Sequence, residues 1–294
     1  MTVYQKLMYV AVSFSVAMSV SMANYVFYPE RLPDTDDVNS FYSEIQENND
    51  KLLKHFFPYE IVDYDLEVPS NMTYTQAEFQ KFKGTYLEKS TVPAGSSYLD
   101  KIAFCGDSLS YHMGMNGQVL DDYDVLAWGG LSVSDYATHT ANPVYNQSDV
   151  RGKTTIQWLS ELKPELIYIM LGTNGVSIYS NSAHVNLYKS LLSKIKAASP
   201  GSKIVIISSP PWGTDQTSSS TPTPELNAKI DQFNMLLLEM ADSNGCYFLN
   251  LAEDLKDSAG NLKSIYSSGD GIHWSTAARQ LYVNYVLEHP IPGF

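Results

Sequence analysis

Residues 102–110 read IAFCGDSLS, a short apolar run that leads directly into a turn carrying a serine. The uninterrupted apolar run 102–105 predicts a strand that is buried on both faces. Ser108 is then expected at the carboxyl end of that strand, where a helix begins. A hydroxyl at the positive end of a helix can act as a nucleophile when a base is nearby. The alternative is that this turn only caps the helix.

Four more apolar runs share this character: Asp124–Trp128, Leu166–Leu171, Ile204–Ser208 and Cys246–Leu249. Helical patterns lie between them, at Ala183–Ala197, from Pro224 onward, and after Ser275 as the cap of a last helix. Five strands that alternate with helices predict an α/β fold, a three-layer α/β/α sandwich around a five-stranded parallel sheet. In such sheets the functional site lies beyond the carboxyl ends of the strands.

The segment before the last predicted helix reads GDGIHW, residues 269–274. An aspartate three residues ahead of a histidine, in a glycine-rich turn, can place its carboxylate on the imidazole Nδ1. The other ring nitrogen can then take a proton from a serine. Asp270 and His273 are therefore candidate partners of Ser108. The alternative is an Asx turn that leads into the helix.

Two other strand ends carry groups that could stabilise a developing oxyanion. Asn174, in LGTNG at 171–175, has a side-chain amide that can donate to such an oxygen. Gly129 and Gly130 follow Trp128, and glycines there let a backbone N–H approach a reacting carbonyl closely. The alternative is that both segments are simply tight turns.

Taken in order, these four segments resemble the SGNH (GDSL-like) hydrolase family. Its pattern is a Gly-Asp-Ser block, a block with an oxyanion glycine, a Gly-x-Asn-Asp block and a terminal Asp-x-x-His block. The resemblance covers residues 101–288 and implies a flavodoxin-like sheet and a serine esterase mechanism. It implies Ser108 as nucleophile, His273 as general base and Asp270 as the acid that orients it. Asn174 and the Ser108 backbone N–H would be oxyanion donors.

The chain departs from the family pattern at two places. Gly175 stands where the family usually has an aspartate after the asparagine. The second block also lacks the usual Asn-x-Gly-x-x-Gly form. One alignment makes Gly130 the remaining oxyanion donor, and another points to Ser132 or Val133. A backbone N–H from any of these residues would serve, so the three alternatives stay open, and we favour Gly130.

Four aromatic residues fall in predicted strand-end loops, where they could bind sugar rings or apolar acyl groups: Trp128, Tyr136, Trp212 and Trp274. The alternative is that they only pack the rim of the site. His112 lies one helical turn after Ser108. It is interpreted as a structural or substrate-contacting residue, since a helix neighbour is poorly placed to act as the base.

The N-terminal region 1–29 is expected to be a membrane anchor or a signal peptide. Leu7–Pro29 contains no charged residue and follows Lys6, and a run of this length can span a bilayer as a helix. Small residues at 21–23 would suit cleavage of a signal peptide. The apolar character continues beyond them, which favours an uncleaved anchor. In either case the rest of the chain should lie outside the cytoplasm.

Residues 30–98 are interpreted as an acidic stalk or lead-in, ahead of a hydrolase domain at 99–294. Between Glu30 and Glu67 lie eleven acidic and three basic side chains, out of a whole-chain net charge of −13. Two amphipathic helices are predicted here, at 41–57 and 75–87. The negative charge argues against binding to nucleic acid through a basic surface.

Cofactors and metals are not predicted. The two cysteines, Cys105 and Cys246, lie in apolar strands and are interpreted as core thiols rather than a disulfide. No cysteine or histidine spacing indicates zinc.

The leading hypothesis is an extracytoplasmic serine esterase, membrane-anchored or secreted, that removes short acyl groups, chiefly O-acetyl, from carbohydrate or cell-wall polymer. The alternatives are an acyltransferase that acts on sugar hydroxyls and a surface carbohydrate-binding protein on a hydrolase scaffold.

Overall fold

The structure, a computed structural model, describes residues 65–140 and 152–294. Five strands form its sheet: β1 (Ile102–Gly106), β2 (Asp124–Ala127), β3 (Leu166–Met170), β4 (Lys203–Ile207) and β5 (Tyr247–Leu249). All neighbouring strands are parallel, in the order β2-β1-β3-β4-β5. The predicted five-stranded parallel sheet is confirmed, and each observed strand overlaps its predicted run.

Seven α-helices lie in the described residues: α1 (Gln76–Phe79), α2 (Ser108–Met113), α3 (Thr155–Leu162), α4 (Asn181–Ala198), α5 (Thr223–Ser243), α6 (Leu251–Leu255) and α7 (Thr276–Glu288). Short 3₁₀ turns occupy Gln80–Phe82, Ser96–Lys101 and Ser264–Tyr266. The Ser275 hydroxyl accepts a hydrogen bond from the Ala278 N–H at the start of α7, as predicted for the last helix.

The helices cover both faces of the sheet and complete three layers. Ile167 and Ile169 of β3 pack into an apolar cluster with α3, α4 and α5. Tyr168, between them, packs on the opposite face with α2, α6 and α7. All three strand residues are fully buried, which explains why the run lacks polar alternation. The predicted three-layer arrangement is confirmed.

The segment that precedes β1 packs on the sheet and forms part of the same compact unit, which begins at Leu66. Leu66, Phe79 and Phe82 are buried in the cluster beneath α3, α4 and α5. Asn71 and Asn250 also exchange hydrogen bonds of 3.2 and 3.0 Å through their buried side-chain amides. The predicted boundary between residues 98 and 99 therefore lies inside this unit.

The predicted helix at 75–87 is wrong beyond Phe82. Gly84 takes a φ of +86°, which a helix does not allow. The chain then becomes extended and pairs with β5. The Phe248 N–H donates to the Thr85 carbonyl at 2.7 Å, and the Leu87 N–H donates to the Phe248 carbonyl at 2.9 Å.

The two cysteines are free thiols. Cys105 and Cys246 are both buried, as the sequence predicted. Burial raises the pKa of the Cys105 thiol to about 12, which keeps it protonated and unreactive.

The predicted membrane segment at 1–29 and the predicted helix at 41–57 lie outside the described residues. Across 65–140 and 152–294, no helix has both the length and the apolar character that a bilayer span requires.

Candidate active site

The candidate residues gather at one edge of the sheet because the strands that carry them are parallel and in register. Gly106 at the end of β1 pairs with Ala127 of β2 on one side and with Met170 of β3 on the other. The segments that follow these three strands therefore start side by side. They contain Ser108, Trp128 and Asn174.

Ser108 is the first residue of α2 and is 8% exposed. Asp107 caps this helix, and its Oδ1 accepts a hydrogen bond from the Leu109 N–H at 3.1 Å. Gly106 lets the turn approach β3, because a Cβ there would lie 2.1 Å from Ser110 Oγ and 2.9 Å from the Met170 carbonyl oxygen. The hydroxyl of Ser108 is thus held by a tightly packed strand end.

Ser108, His273 and Asp270 form one continuous chain of hydrogen bonds. Ser108 Oγ lies 3.0 Å from His273 Nε2. His273 Nδ1 lies 2.6 Å from Asp270 Oδ2. In the tautomer with a proton on Nδ1, the histidine donates to the carboxylate and accepts from the serine. The structure therefore brings together the three residues that the sequence analysis paired across 165 positions.

Asp270 stays ionised within this chain. Burial alone would raise the pKa of its carboxyl, but hydrogen bonds from the His273 ring and from the Ile272 and His273 N–H groups outweigh that effect and lower the pKa to about 2. The two backbone bonds to Oδ1 measure 3.0 and 2.8 Å. The carboxylate is thus a fixed negative charge beside the imidazole.

The turn that carries Asp270 is held by a second network that sequence analysis missed. The Ser267 hydroxyl accepts hydrogen bonds from the N–H groups of Gly269 and Gly271, at 3.0 and 3.1 Å. It donates to Asp215 Oδ2 at 3.0 Å. The Gly213 N–H also donates to the Gly271 carbonyl at 2.7 Å. The loop after β4 therefore braces this turn.

His112 lies beside His273, with ring centroids 5.0 Å apart. Burial, followed by the nearby positive charges of His273 and Arg279, lowers the pKa of His112, although Asp270 opposes the shift. Beside an imidazolium at His273, a neutral His112 avoids a like-charge contact. His112 thus forms part of the site wall, and its prediction as a structural or substrate-contacting residue stays open.

Asn174 lies next to the loop that follows β2. Its Nδ2 donates a hydrogen bond to the Leu131 carbonyl at 2.9 Å, which leaves the second N–H of the amide for another acceptor. Gly130 is exposed and has a φ of +74°, with open space where a Cβ would be. The structure thus joins the Asn174 turn to the 129–133 loop, while the choice among Gly130, Ser132 and Val133 remains a prediction.

Three of the four predicted aromatic contacts must be corrected. Tyr136, Trp212 and Trp274 are 0%, 4% and 1% exposed. Tyr136 donates to the Leu126 carbonyl at 2.6 Å, and the two tryptophans belong to apolar clusters. Their side chains pack the fold and do not face a substrate.

Trp128 remains at the site and has a partner that the sequence analysis did not single out. It is half-buried, and its ring meets the edge of Tyr111 with centroids 5.0 Å apart. Tyr111 and His112 follow Ser108 by three and four positions on α2, so the three residues share one helix face. This spacing is the signal that could have identified Tyr111.

Asp107 is a buried acid directly before Ser108. Burial raises the pKa of its carboxyl to about 7, although the Leu109 N–H and the nearby His273 oppose the shift. Its Oδ2 has no hydrogen-bond partner among the residues that the structure describes. Among all the residues of 65–140 and 152–294, no cluster of three or more histidine, cysteine or acidic side chains could hold a metal ion.

Solved structures with a similar fold share little sequence with this chain. A candidate acylhydrolase from Bacteroides fragilis NCTC 9343 is 16% identical, with 75% of this chain and 96% of that chain covered and a TM-score of 0.50. A GDSL-like lipase from Bacteroides thetaiotaomicron VPI-5482 is 16% identical, with coverages of 67% and 89% and a TM-score of 0.48. A carbohydrate esterase family 3 protein from Talaromyces cellulolyticus is 16% identical, with coverages of 63% and 93% and a TM-score of 0.43.

Among curated proteins, no sequence matches this chain. The family model of GDSL-like lipases and acylhydrolases matches residues 104–281, from within β1 to the middle of α7. This range is well over half of the 294 residues and includes Ser108, Asn174, Asp270 and His273. The chain therefore belongs to the GDSL-like lipase/acylhydrolase family.

Proposed function

We propose that this protein is a serine esterase that removes short acyl groups, chiefly acetyl, from the hydroxyl groups of carbohydrates. The observation that carries the proposal is the chain of hydrogen bonds from Ser108 Oγ through His273 to Asp270, at 3.0 and 2.6 Å. These are the contacts that a hydroxyl needs in order to lose its proton as it attacks a carbonyl.

In the first half of the reaction, Ser108 Oγ forms a bond to the ester carbonyl carbon and its proton passes to His273 Nε2. The ionised Asp270 stabilises the imidazolium through Nδ1. The C–O bond to the alcohol then breaks, and the alcohol leaves with the proton from Nε2. In the second half, water gives a proton to Nε2, attacks the acyl-enzyme and releases the acid, and Ser108 regains its proton.

The negative charge on the carbonyl oxygen needs donors that are already in place. In this proposal they are the Asn174 side-chain amide, the Ser108 backbone N–H and a backbone N–H from the 129–133 loop, with Gly130 favoured. The hydrogen bond from Asn174 to the Leu131 carbonyl supports this assignment, since it ties two of the three donor segments together. Each such donor contributes on the order of 3 kcal/mol to the lowering of the barrier.

The wall beside Ser108 supports a carbohydrate as the alcohol part of the ester. Tyr111, His112 and Trp128 are all half-buried, and each ring touches the next or His273. Flat side chains with one polar edge suit the apolar face of a sugar ring together with its hydroxyl groups.

An extracytoplasmic location is part of the same proposal. Its support is the uncharged stretch Leu7–Pro29 with Lys6 ahead of it, which suits an anchor or a signal peptide with the catalytic part outside. Attachment to the outer face of a membrane would bring the enzyme close to acetylated cell-wall polymer.

The test combines active-site labelling with substrate panels. The folded wild type should react with a fluorophosphonate probe and hydrolyse p-nitrophenyl acetate faster than the octanoate. It should also release acetate from acetylated xylan or acetylated peptidoglycan. Ser108→Ala should abolish labelling, and Asp270→Asn should lower kcat about 10³- to 10⁴-fold. Ser193→Ala, an exposed serine on α4, is the matched control and should behave as the wild type.

Several outcomes would overturn parts of this proposal. Absence of labelling in the folded wild type would remove the nucleophile and favour a binding protein. Hydrolysis of long-chain lipid esters without release of acetate from any polysaccharide would remove the carbohydrate substrate and retain the mechanism. Acyl transfer to an added sugar in preference to water, seen by product analysis, would make the enzyme a transferase.

A further inference from the structure

The turn that carries Asn174 depends on two glycines. Gly172 has a φ of +142°, and its carbonyl accepts hydrogen bonds from the Gly175 and Val176 N–H groups at 2.8 and 3.2 Å. Lys229 then donates to the Val176 carbonyl at 2.5 Å. Asn174 sits in the middle of this turn, so the position of its amide depends on what lies beneath the two glycines.

Two stacked rings lie beneath them. The His184 ring, from the first turn of α4, packs on the Phe233 ring of α5, with centroids 4.2 Å apart and an interplanar angle of 9°. Both side chains are buried, at 1% and 0% exposure. The stack therefore has little freedom to move.

The stack touches both glycines so closely that no side chain would fit. A Cβ on Gly175 would lie 2.4 Å from both Cε1 and Nε2 of His184. A Cβ on Gly172 would lie 2.9 Å from Cε1 of Phe233. Non-bonded carbon and nitrogen atoms do not approach to these distances, so there is no room for a Cβ between the glycine backbone and the rings. The backbone of the turn therefore packs directly on the rings.

His184 Nε2 makes no hydrogen bond within the residues that the structure describes, although it is buried. Burial, followed by the nearby Lys229 cation, lowers the pKa of His184 to about 4. The ring is thus neutral at physiological pH. An unpaired polar atom at this buried position costs stability. The ring therefore supports the turn by its shape and packing, and not by a hydrogen bond from Nε2.

We propose that the stacked rings of His184 and Phe233 are a positioning floor for the Asn174 turn. The floor holds the Asn174 amide in line with Ser108 so that it can donate to the oxyanion. This inference rests on the proposed function, in which Asn174 is an oxyanion donor. It also accounts for Gly175 in place of the aspartate usual in the family: the His184 ring occupies the space into which that side chain would start.

The test is a set of double-mutant cycles with Asn174→Ala. Gly175→Ala pushes a methyl group into the His184 ring and should lower kcat about 10- to 100-fold with little change in KM. Asn174→Ala should lower kcat by about 100-fold or more. In the Asn174→Ala background, Gly175→Ala should cause no further loss beyond about twofold, because the displaced amide is already absent.

Removal of the His184 ring tests the same contact from its other side. His184→Ala should lower kcat about tenfold. The double variant Gly175→Ala/His184→Ala should recover part of the activity lost in Gly175→Ala, since the 2.4 Å clash with the ring is gone and only a contact of 3.1 Å with Tyr179 Cδ2 remains. This double variant also provides a folded protein if Gly175→Ala alone does not fold. The side-chain amide NMR signal of Asn174 should broaden in His184→Ala.

Matched controls separate positioning from general destabilisation. Gly201→Ala adds a methyl group where nothing lies within 4 Å and should leave kcat and stability unchanged. His289→Ala removes a buried histidine stacked on Tyr285 at a centroid distance of 3.9 Å, away from the site. It should lower the melting temperature and leave kcat within about twofold.

An equal loss from Gly175→Ala in the presence and absence of Asn174 would overturn the inference, as would full activity of a folded Gly175→Ala. A wild type that hydrolyses no ester, or a Ser108→Ala variant as active as the wild type, would instead overturn the proposed function. The two failures are therefore distinguishable.

Discussion

The two halves of the candidate site are built in different ways. The half that carries Ser108 is an extension of the core, in which β1 is buried along its whole length and Gly106 touches the β3 backbone. The half that carries Asp270 and His273 is a surface turn, with Asp270 exposed. It is held by hydrogen bonds to Ser267 and Asp270 side chains.

This difference indicates how each half should respond to change. In the Ser108 half, a substitution that adds volume disturbs close packing, so stability and activity should fall together. In the Asp270 half, a substitution removes a few hydrogen bonds near the surface, so activity should fall while stability is nearly retained. The following variants test this contrast.

The largest expected effect is that of Gly106→Ala. The new methyl group would lie 2.1 Å from Ser110 Oγ and 2.9 Å from the Met170 carbonyl oxygen. We expect the free energy of unfolding to fall by about 3 kcal/mol or more, with a matching loss of kcat, measured by urea unfolding and ester hydrolysis. Gly95→Ala, at an ordinary extended conformation with open surroundings, is the control. An active Gly106→Ala of wild-type stability would remove the contrast.

The effect of Asp107→Asn on the free energy of unfolding should depend on pH. Because the pKa of Asp107 is raised from 3.8 to about 7 in the folded state, the folded protein holds a proton that the unfolded chain releases. The contribution of the Asp107 carboxyl to the free energy of unfolding of the wild type should therefore fall as pH rises from about 4 to 7.

The asparagine variant lacks this loss. Relative to the wild type, Asp107→Asn should become more stable as pH rises from 4 to 8. Urea unfolding of both proteins at pH 4, 6 and 8 measures the difference. A constant difference across these pH values would show that the carboxyl does not titrate in this range.

The smallest effect is expected from Ser267→Ala. It removes the hydroxyl that accepts from Gly269 and Gly271 and donates to Asp215. We expect kcat/KM to fall about tenfold while the free energy of unfolding changes by less than about 1 kcal/mol. Ser267→Thr keeps the hydroxyl and should recover most of the activity, and the exposed Ser264→Ala should have no effect. A large loss of stability with unchanged kcat would reverse the contrast between the halves.

The sheet could be predicted from the sequence because a parallel strand buried on both faces needs a continuous apolar run. The placement of Ser108 at a strand end followed from that, and the three-residue spacing of Asp270 and His273 placed their contact within one turn. The helix that begins at Ser108 is also expected from the sequence, whereas the short helices α3 and α6 are not, since one or two helical turns carry little periodicity.

Other features depend on contacts that no local pattern reveals. Trp212 and Trp274 were predicted at the rim because an aromatic residue in a loop looks the same in sequence whether it points inward or outward. The contact between Ser267 and Asp215 joins residues 52 positions apart. The helix predicted at 75–87 failed because the pairing of Thr85 and Leu87 with Phe248 outweighs helical propensity.

That pairing has a consequence for the solubility of the catalytic region. β5 ends one side of the sheet, and an open strand there would present its N–H and C=O groups for strand addition by another molecule. The segment at 85–87 caps this edge. A fragment trimmed to residue 99, where the sequence alone would divide the chain, would uncover the Phe248 backbone and the apolar surface under Phe79 and Phe82. Such a fragment would retain Ser108, Asp270 and His273 and still tend to aggregate, so the lead-in serves as built-in protection against self-association.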